Sequence, residues 1–341
     1  MLELLAAERD IETLPPIADG PGDIDRIAML KRLMLVRITE ETLAGRYGEQ
    51  EIRTPVHFGT GQEAVAVGVC QALESKDAVY SHHRSHNHYL ARGGSVYQLA
   101  AELYGRADGC SGGRGGSVHL TARDVGFVAS SAILGETIAV AAGTALAFSM
   151  DHEPAVAVAF FGEATMEEGI VYETVNFAAI HRLPLLLICE NNLYSTESPL
   201  EVRQPPGTEL CERMRAFKIQ ADRIDGNDVA AVQVAAGAAR RRAVAGGGPV
   251  FLECMTYRWR EHVGAGFDHE LGRTYRPQAE LQSWMERCPV RRAAADLVRR
   301  GIARPDEINE WRSELETGIR AAVEQARHAP WPDTTALFDN V

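Results

Sequence analysis

The sequence predicts an α/β fold built on a mainly parallel sheet with helices on its flanks, and three observations carry that expectation. Two apolar runs, Ala155–Phe161 and Pro184–Glu190, read as buried strands. The helix-patterned stretch between them, about Glu167 to His181, is long enough to cross back over a sheet, so both strand ends open on one edge. Two further strand candidates, Ile219–Asp225 and Pro249–Tyr257, enclose an Ala/Arg-rich helix and repeat the alternation.

The remaining elements follow in order. Residues 1–22 end in PPIADGPG and read as a mobile N-terminal arm. From Asp23 to about Leu43 the apolar positions Ile27, Leu30, Leu33, Met34 and Ile38 recur at helical spacing. A second helix pattern follows Gly61 and a third begins near Ser95. Residues 105–131 are too rich in Gly for an element interior and read as a loop region. Glu136–Met150 reads as a helix leading into the first strand, and past Gly264 a loop gives way to helices as far as Arg327.

Composition limits what the chain does. With 341 residues, 45% hydrophobic and 24% charged, it has enough apolar material for a sizeable core. A net charge of −12 argues against nucleic acid as a partner, because neutralising phosphates needs a basic surface. Six cysteines without CxxC spacing point to neither a zinc knuckle nor a disulfide framework. The acidic MLELLAAERD start is unlike a signal peptide and no apolar run has membrane-spanning length, so the expectation is a cytoplasmic protein with no membrane partner.

Gly162–Asn192 carries the most chemistry. Glu163 follows one strand and the pair Asn191–Asn192 follows the next, giving hard oxygen ligands of the kind Mg²⁺ takes together with phosphate oxygens. The start of the intervening helix offers unpaired N–H groups to a phosphate. By itself the segment also reads as an ordinary βαβ unit with polar loop residues.

Four other stretches accompany it: HFGTGQEA from His57, SHHRSHNHYLARGG from Ser81, GRGGSVHL from Gly113 and YRWREHVGAG from Tyr257. With GEA and the later NN, these resemble, in order and spacing from about residue 25 to 290, the α subunits of thiamine diphosphate-dependent 2-oxoacid dehydrogenases, the pyruvate, branched-chain and acetoin group. The resemblance implies a thiamine diphosphate-binding fold over residues 23–290, with a helical extension and tail at 291–341. It also implies thiamine diphosphate and Mg²⁺ as cofactors, a small 2-oxo acid as substrate, and acyl transfer to a lipoyl group on an acyltransferase.

Position by position, the resemblance makes His57 and His262 catalytic, with His262 also near the cofactor. Arg84 would meet the diphosphate, and His83 stands where the pyruvate branch has a Tyr. Ala132 and Leu134 would meet the aminopyrimidine ring through their backbone. Glu163, Asn192 and the Tyr194 carbonyl would hold Mg²⁺, with Ala164 and Thr165 beside the diphosphate.

Several positions depart from the family pattern. Glu163 replaces the commoner Asp, and Ala164 replaces a Gly, which requires a negative φ there. Arg260 and Glu261 lie where relatives carry His-Gly or Gly-His. Val263 replaces a Ser that mitochondrial relatives phosphorylate, so that switch is absent at this position. His82, His83, His86 and His88 could suggest a zinc cluster, but such a site needs a fourth, well-placed ligand and a second shell, so zinc is not expected. The Glu that activates the cofactor in such enzymes lies on a second α/β half that this chain does not show; in the family it belongs to a β subunit, which implies an α₂β₂ assembly. Two alternatives remain open at this point: an acetoin-cleaving or carboligating enzyme of the same subunit type, and a non-catalytic α-like subunit.

Overall fold

A computed structural model describes residue 11 and residues 13–335. The described helices and strands begin with α1 (Asp23–Tyr47), α2 (Glu63–Gln71), β1 (Ala78–Ser81), α3 (His86–Arg92) and α4 (Val96–Leu103). There follow β2 (Phe127–Ser130), α5 (Glu136–Met150), β3 (Ala157–Gly162), α6 (Gly169–Ile180) and β4 (Leu185–Asn191). The second half adds α7 (Leu210–Ala216), β5 (Gln220–Asp225), α8 (Val229–Arg242), β6 (Val250–Met255), α9 (Gln278–Glu286), α10 (Pro289–Arg299) and α11 (Pro305–Arg327).

Among the described residues, six strands form one sheet in the order β2-β1-β3-β4-β6-β5, and every neighbouring pair is parallel. Both faces are covered, as a parallel sheet requires, and the period-two alternation of the strands divides the core. Val158, Phe160, Leu186, Ile188, Val250 and Leu252 face one cluster, built with α1, α2, α4, α8, α10 and α11. Ala157, Ala159, Phe161, Leu185, Leu187 and Phe251 face the other, built with α5, α6 and α7. In α5 the buried residues Ile138, Ala141, Ala142 and Ala145 form the single stripe that lies on the sheet.

The expected helix at 136–150 and the four expected strands are present, but the sheet has two more. β1 and β2 are four residues each, and β2 lies inside the segment expected to be loop. Helix α3 was also not foreseen: it buries His86, Asn87 and His88, so its inward face is polar and shows no apolar period. The expected helix from Glu167 begins later, at Gly169, because Glu163–Glu167 form a 3₁₀ turn and Glu168 is extended (φ −85°, ψ 134°).

The described part of the N-terminal arm is pinned rather than free. Leu14 and Ile17 are buried, Arg292 donates to the Pro15 and Pro16 carbonyls, and Ala18 N–H donates to Asp228 at 2.8 Å. Residues 1–10 and 12 of that arm lie outside the described residues, as do 336–341 of the expected C-terminal tail. The boundary drawn at 290 falls inside α10, whose Val290, Ala293, Ala294 and Leu297 belong to the main core. No described helix is long and apolar enough to cross a membrane.

Candidate active site

Strand register assembles most of the site. Ser81 pairs with Ser130, Tyr80 with Ala159, Gly162 with Glu190, and Asn191 with Met255, so five neighbouring strands end on one edge of the sheet. Past those ends come His82–Arg84 from β1, Ala132–Leu134 from β2, Glu163–Thr165 from β3, Asn192–Tyr194 from β4 and His262 beyond β6. All eleven residues singled out from the sequence line one cavity of about 230 Å³, together with Gln62, His82, Glu190 and Thr196.

His57 is the one member that no strand supplies, and polar contacts to α1 and α3 place it. Gly59 N–H donates to Glu40 at 2.5 Å, and the Asn87 amide donates to the Gly59 carbonyl at 2.9 Å. The other Glu40 oxygen accepts from His86 Nδ1 at 2.7 Å. A buried Arg37–Glu63 pair ties α1 to α2, with the guanidinium 4.1 Å above the Trp259 ring. Gly61 has φ +99° and a Cβ there would sit 2.3 Å from Trp259, so only glycine closes this turn.

Arg84 is 4% exposed and forms no ion pair among the described residues. It donates from Nη1 to the Phe58 carbonyl at 2.8 Å and from Nη2 to the His262 carbonyl at 3.1 Å. Burial, followed by the nearby Arg258 charge, pulls its pKa well below the usual guanidinium value. A buried cation in this condition favours an anionic ligand in the cavity.

The four histidines of SHHRSHNH part company. His82 Nδ1 accepts from Arg84 N–H at 3.1 Å, so Nε2 carries the proton and donates to Glu190 at 2.7 Å; His88 Nε2 meets the other Glu190 oxygen at 3.3 Å. Burial raises the Glu190 carboxyl, but the two imidazoles outweigh it and hold the pKa at about 2. His86 belongs to the Glu40 network. His82 and His83 both line the cavity, and the His83 ring centroid lies 4.7 Å from His57 and 5.7 Å from His262. Burial first, then the Arg84 charge, lowers His57 and His262 to about 3 and His83 well below its ordinary value, leaving three neutral imidazoles.

On the opposite wall, Glu163 is 1% exposed. Burial raises its carboxyl pKa against the opposing pull of Arg203, whose Nη2 lies 2.5 Å from Oε1. Asn192 Oδ1 accepts from Tyr194 N–H at 3.1 Å across Leu193, whose φ of 72° turns the chain sharply between them. A non-Gly residue in that region costs ~1–3 kcal/mol and is kept only where its surroundings over-determine it. Ala164 is absent from the positive-φ residues, which meets the condition its methyl imposed. The N–H groups nearest the cavity on this side are those of the 3₁₀ turn, since α6 starts six residues after Glu163.

The donor set suits Mg²⁺ and a diphosphate. Glu163, the Asn192 amide and the Tyr194 carbonyl are hard oxygens, and Arg84 lacks an anion. His57 Nδ1, His83 Nδ1 and Thr165 Oγ1 are buried polar atoms with no partner among the described residues. Two residues with site roles escaped the sequence reading. Glu190 was signalled by its place just before the Asn pair at the end of an apolar strand; Arg203 had no local signal, being 40 positions from Glu163.

The sequence profile of the Dehydrogenase E1 component family matches residues 31–335. The pyruvate dehydrogenase E1 component subunit alpha of Rhizobium meliloti (strain 1021) is 33% identical over 318 residues, spanning 93% of this chain and 90% of that protein. The subunit of the same name from Porphyra purpurea is 33% identical, with 91% of each chain covered. The mitochondrial subunit alpha-1 of Oryza sativa subsp. japonica is 32% identical over 336 residues, spanning 98% of this chain and 82% of that protein. The chain belongs to the dehydrogenase E1 component family, as an alpha subunit of the thiamine diphosphate-dependent 2-oxoacid dehydrogenases.

Proposed function

We propose that this alpha subunit joins a β subunit in an α₂β₂ component that decarboxylates pyruvate or a close 2-oxo acid and passes the acyl group to a lipoyl-bearing acyltransferase. The observation that carries the site reading is Arg84, a buried guanidinium that, among the described residues, has no acid partner and shares one cavity with three unpartnered polar atoms and the Glu163–Asn192 oxygens. Thiamine diphosphate, when bound, supplies the electron sink for decarboxylation.

Arg84 and Thr165 bind the diphosphate end, with His83 and Ala164 beside it. Glu163, Asn192 and the Tyr194 carbonyl hold Mg²⁺. Ala132 and Leu134, in the loop between β2 and α5, provide the backbone that meets the aminopyrimidine ring. His262, neutral and with Nδ1 facing Arg84, presents Nε2–H to the substrate oxygen and stabilises charge developing there. His57 is the second neutral imidazole at that point, 5.1 Å from His262 between ring centroids. A cytoplasmic setting belongs to the same reading and is supported by six free cysteines.

The partner is tested by assaying 2-oxo acid decarboxylation with the chain alone and after assembly with its β subunit. Activity dependent on thiamine diphosphate and Mg²⁺ is expected only in the assembly. Turnover by the isolated chain would remove the need for a second subunit. Comparing pyruvate with branched 2-oxo acids, with and without a lipoyl domain, identifies the acyl group and its acceptor.

A further inference from the structure

Arg203 ends a single helical turn, Leu200–Arg203, and reaches back to the wall where the metal ligands lie. Its Nη2 lies 2.5 Å from Glu163 Oε1, and Nη1 pairs with Glu167. Nε donates to the Ser198 carbonyl at 3.2 Å, and the neighbouring Gln204 amide donates to the same Glu167 oxygen at 3.0 Å. The guanidinium is 11% exposed and the Glu163 side chain 1%, so the contact is largely screened from water. Among the described residues no other side-chain cation pairs with Glu163.

A buried carboxylate requires a counter-charge, and here the chain provides one. Glu163 is also the acidic ligand of the proposed Mg²⁺ site, and a guanidinium and a divalent ion held against one carboxylate repel each other strongly where water is excluded. We propose that Arg203 is a resident counter-cation of the metal site: it neutralises Glu163 before the metal arrives, yields when Mg²⁺ binds, and thereby sets metal affinity and the order of residues Ser198–Gln204. The inference rests on the reading of Glu163 as a metal ligand. It gives Arg203 the opposite sign from a supporting residue, because its removal strengthens metal binding.

The test is calorimetric titration of Mg²⁺ into the assembled α/β complex at saturating thiamine diphosphate. Arg203→Met, which keeps an apolar stem and removes the charge, should bind Mg²⁺ about tenfold more tightly than wild type, with Arg203→Lys between them. In the wild-type complex, amide exchange across 198–204 should quicken when Mg²⁺ is added, a measurement that holds even if Arg203→Met fails to assemble. Unchanged or weaker Mg²⁺ binding by Arg203→Met, or exchange that slows on metal addition, overturns the proposal. Glu163→Gln separates the two levels of inference. If it binds Mg²⁺ like wild type, the metal assignment itself falls; if it loses the metal while Arg203→Met gains nothing, only the role of Arg203 falls.

Discussion

Arg84 Nη2 lies 3.2 Å from His262 Nδ1, and because a guanidinium has no acceptor, that ring nitrogen must be the unprotonated one. His262 is therefore the Nε2–H tautomer, a hydrogen-bond donor toward the cavity at neutral pH. His262→Ala should lower turnover of the assembled enzyme by ~10²-fold or more, the scale for losing a proton-handling group. His262→Gln, whose amide donor lies near the same place, should retain more activity than the alanine variant. Steady-state rates with thiamine diphosphate titrations check this, and near-wild-type turnover of His262→Ala would take the residue out of the mechanism.

Arg84 has no acid partner among the described residues, so its worth lies in ligand binding. Arg84→Met should weaken thiamine diphosphate binding by ~10²-fold, the range for charge-assisted hydrogen bonds. The cofactor-free chain should melt no lower than wild type, since an uncompensated buried charge is removed. Calorimetry and thermal melts separate the two effects. A variant that melts much lower but binds cofactor normally would make Arg84 a fold-holding residue.

Metal binding should depend on the carboxylate and tolerate a change in its reach. Glu163→Ala should abolish Mg²⁺-dependent thiamine diphosphate binding, whereas Glu163→Asp should retain a measurable part, because it keeps the hard oxygen and loses one methylene. Chelating Mg²⁺ from the wild-type complex should reproduce the alanine result. Wild-type affinity in Glu163→Ala would disprove the assignment.

The neutral imidazoles give the chain a pH dependence whose sign is fixed. His57 and His262 have ordinary values of 6.5 and fall to about 3 when folded. Between those values the unfolded chain binds more protons, so stability is full above about 6.5 and is lost progressively as pH falls toward 3. The melting temperature of the cofactor-free chain should therefore drop between pH 7.5 and 5. A His57→Gln/His262→Gln variant should show a shallower slope over that range, and an unchanged slope would place the titrating groups elsewhere.

The legible parts of this protein were those whose residues follow apolar periodicity. The β3, β4 and α5 patterns are unbroken, and every residue named for the site lies at a strand end or in a Gly-bearing turn beside them. The sequence hid what polarity holds together. Helix α3 turns His86 and His88 inward toward Glu40 and Glu190, partners 46 and 102 positions away, so its buried face looks like a solvent-facing one. Strand β2 is too short to show a period and sits among glycines. The contact of Arg203 with Glu163 depends on a left-handed Leu193 and a one-turn helix, neither of which has a sequence mark.

The glycine-rich stretch from Gly109 is held by the same kind of buried polarity. Its backbone N–H groups at Ser111, Gly113, Gly115 and Gly116 converge on the Glu102 carboxylate, at 2.7, 2.9, 2.6 and 3.2 Å. Glu102 is 1% exposed in α4, so a loop whose converging N–H groups could cradle a phosphate is already filled by an anion from its own helix. Loop and glutamate therefore form one transferable module. Grafted into another scaffold without a carboxylate in that place, the loop would leave four N–H groups seeking an acceptor, and would behave there as an anion trap rather than as a connector.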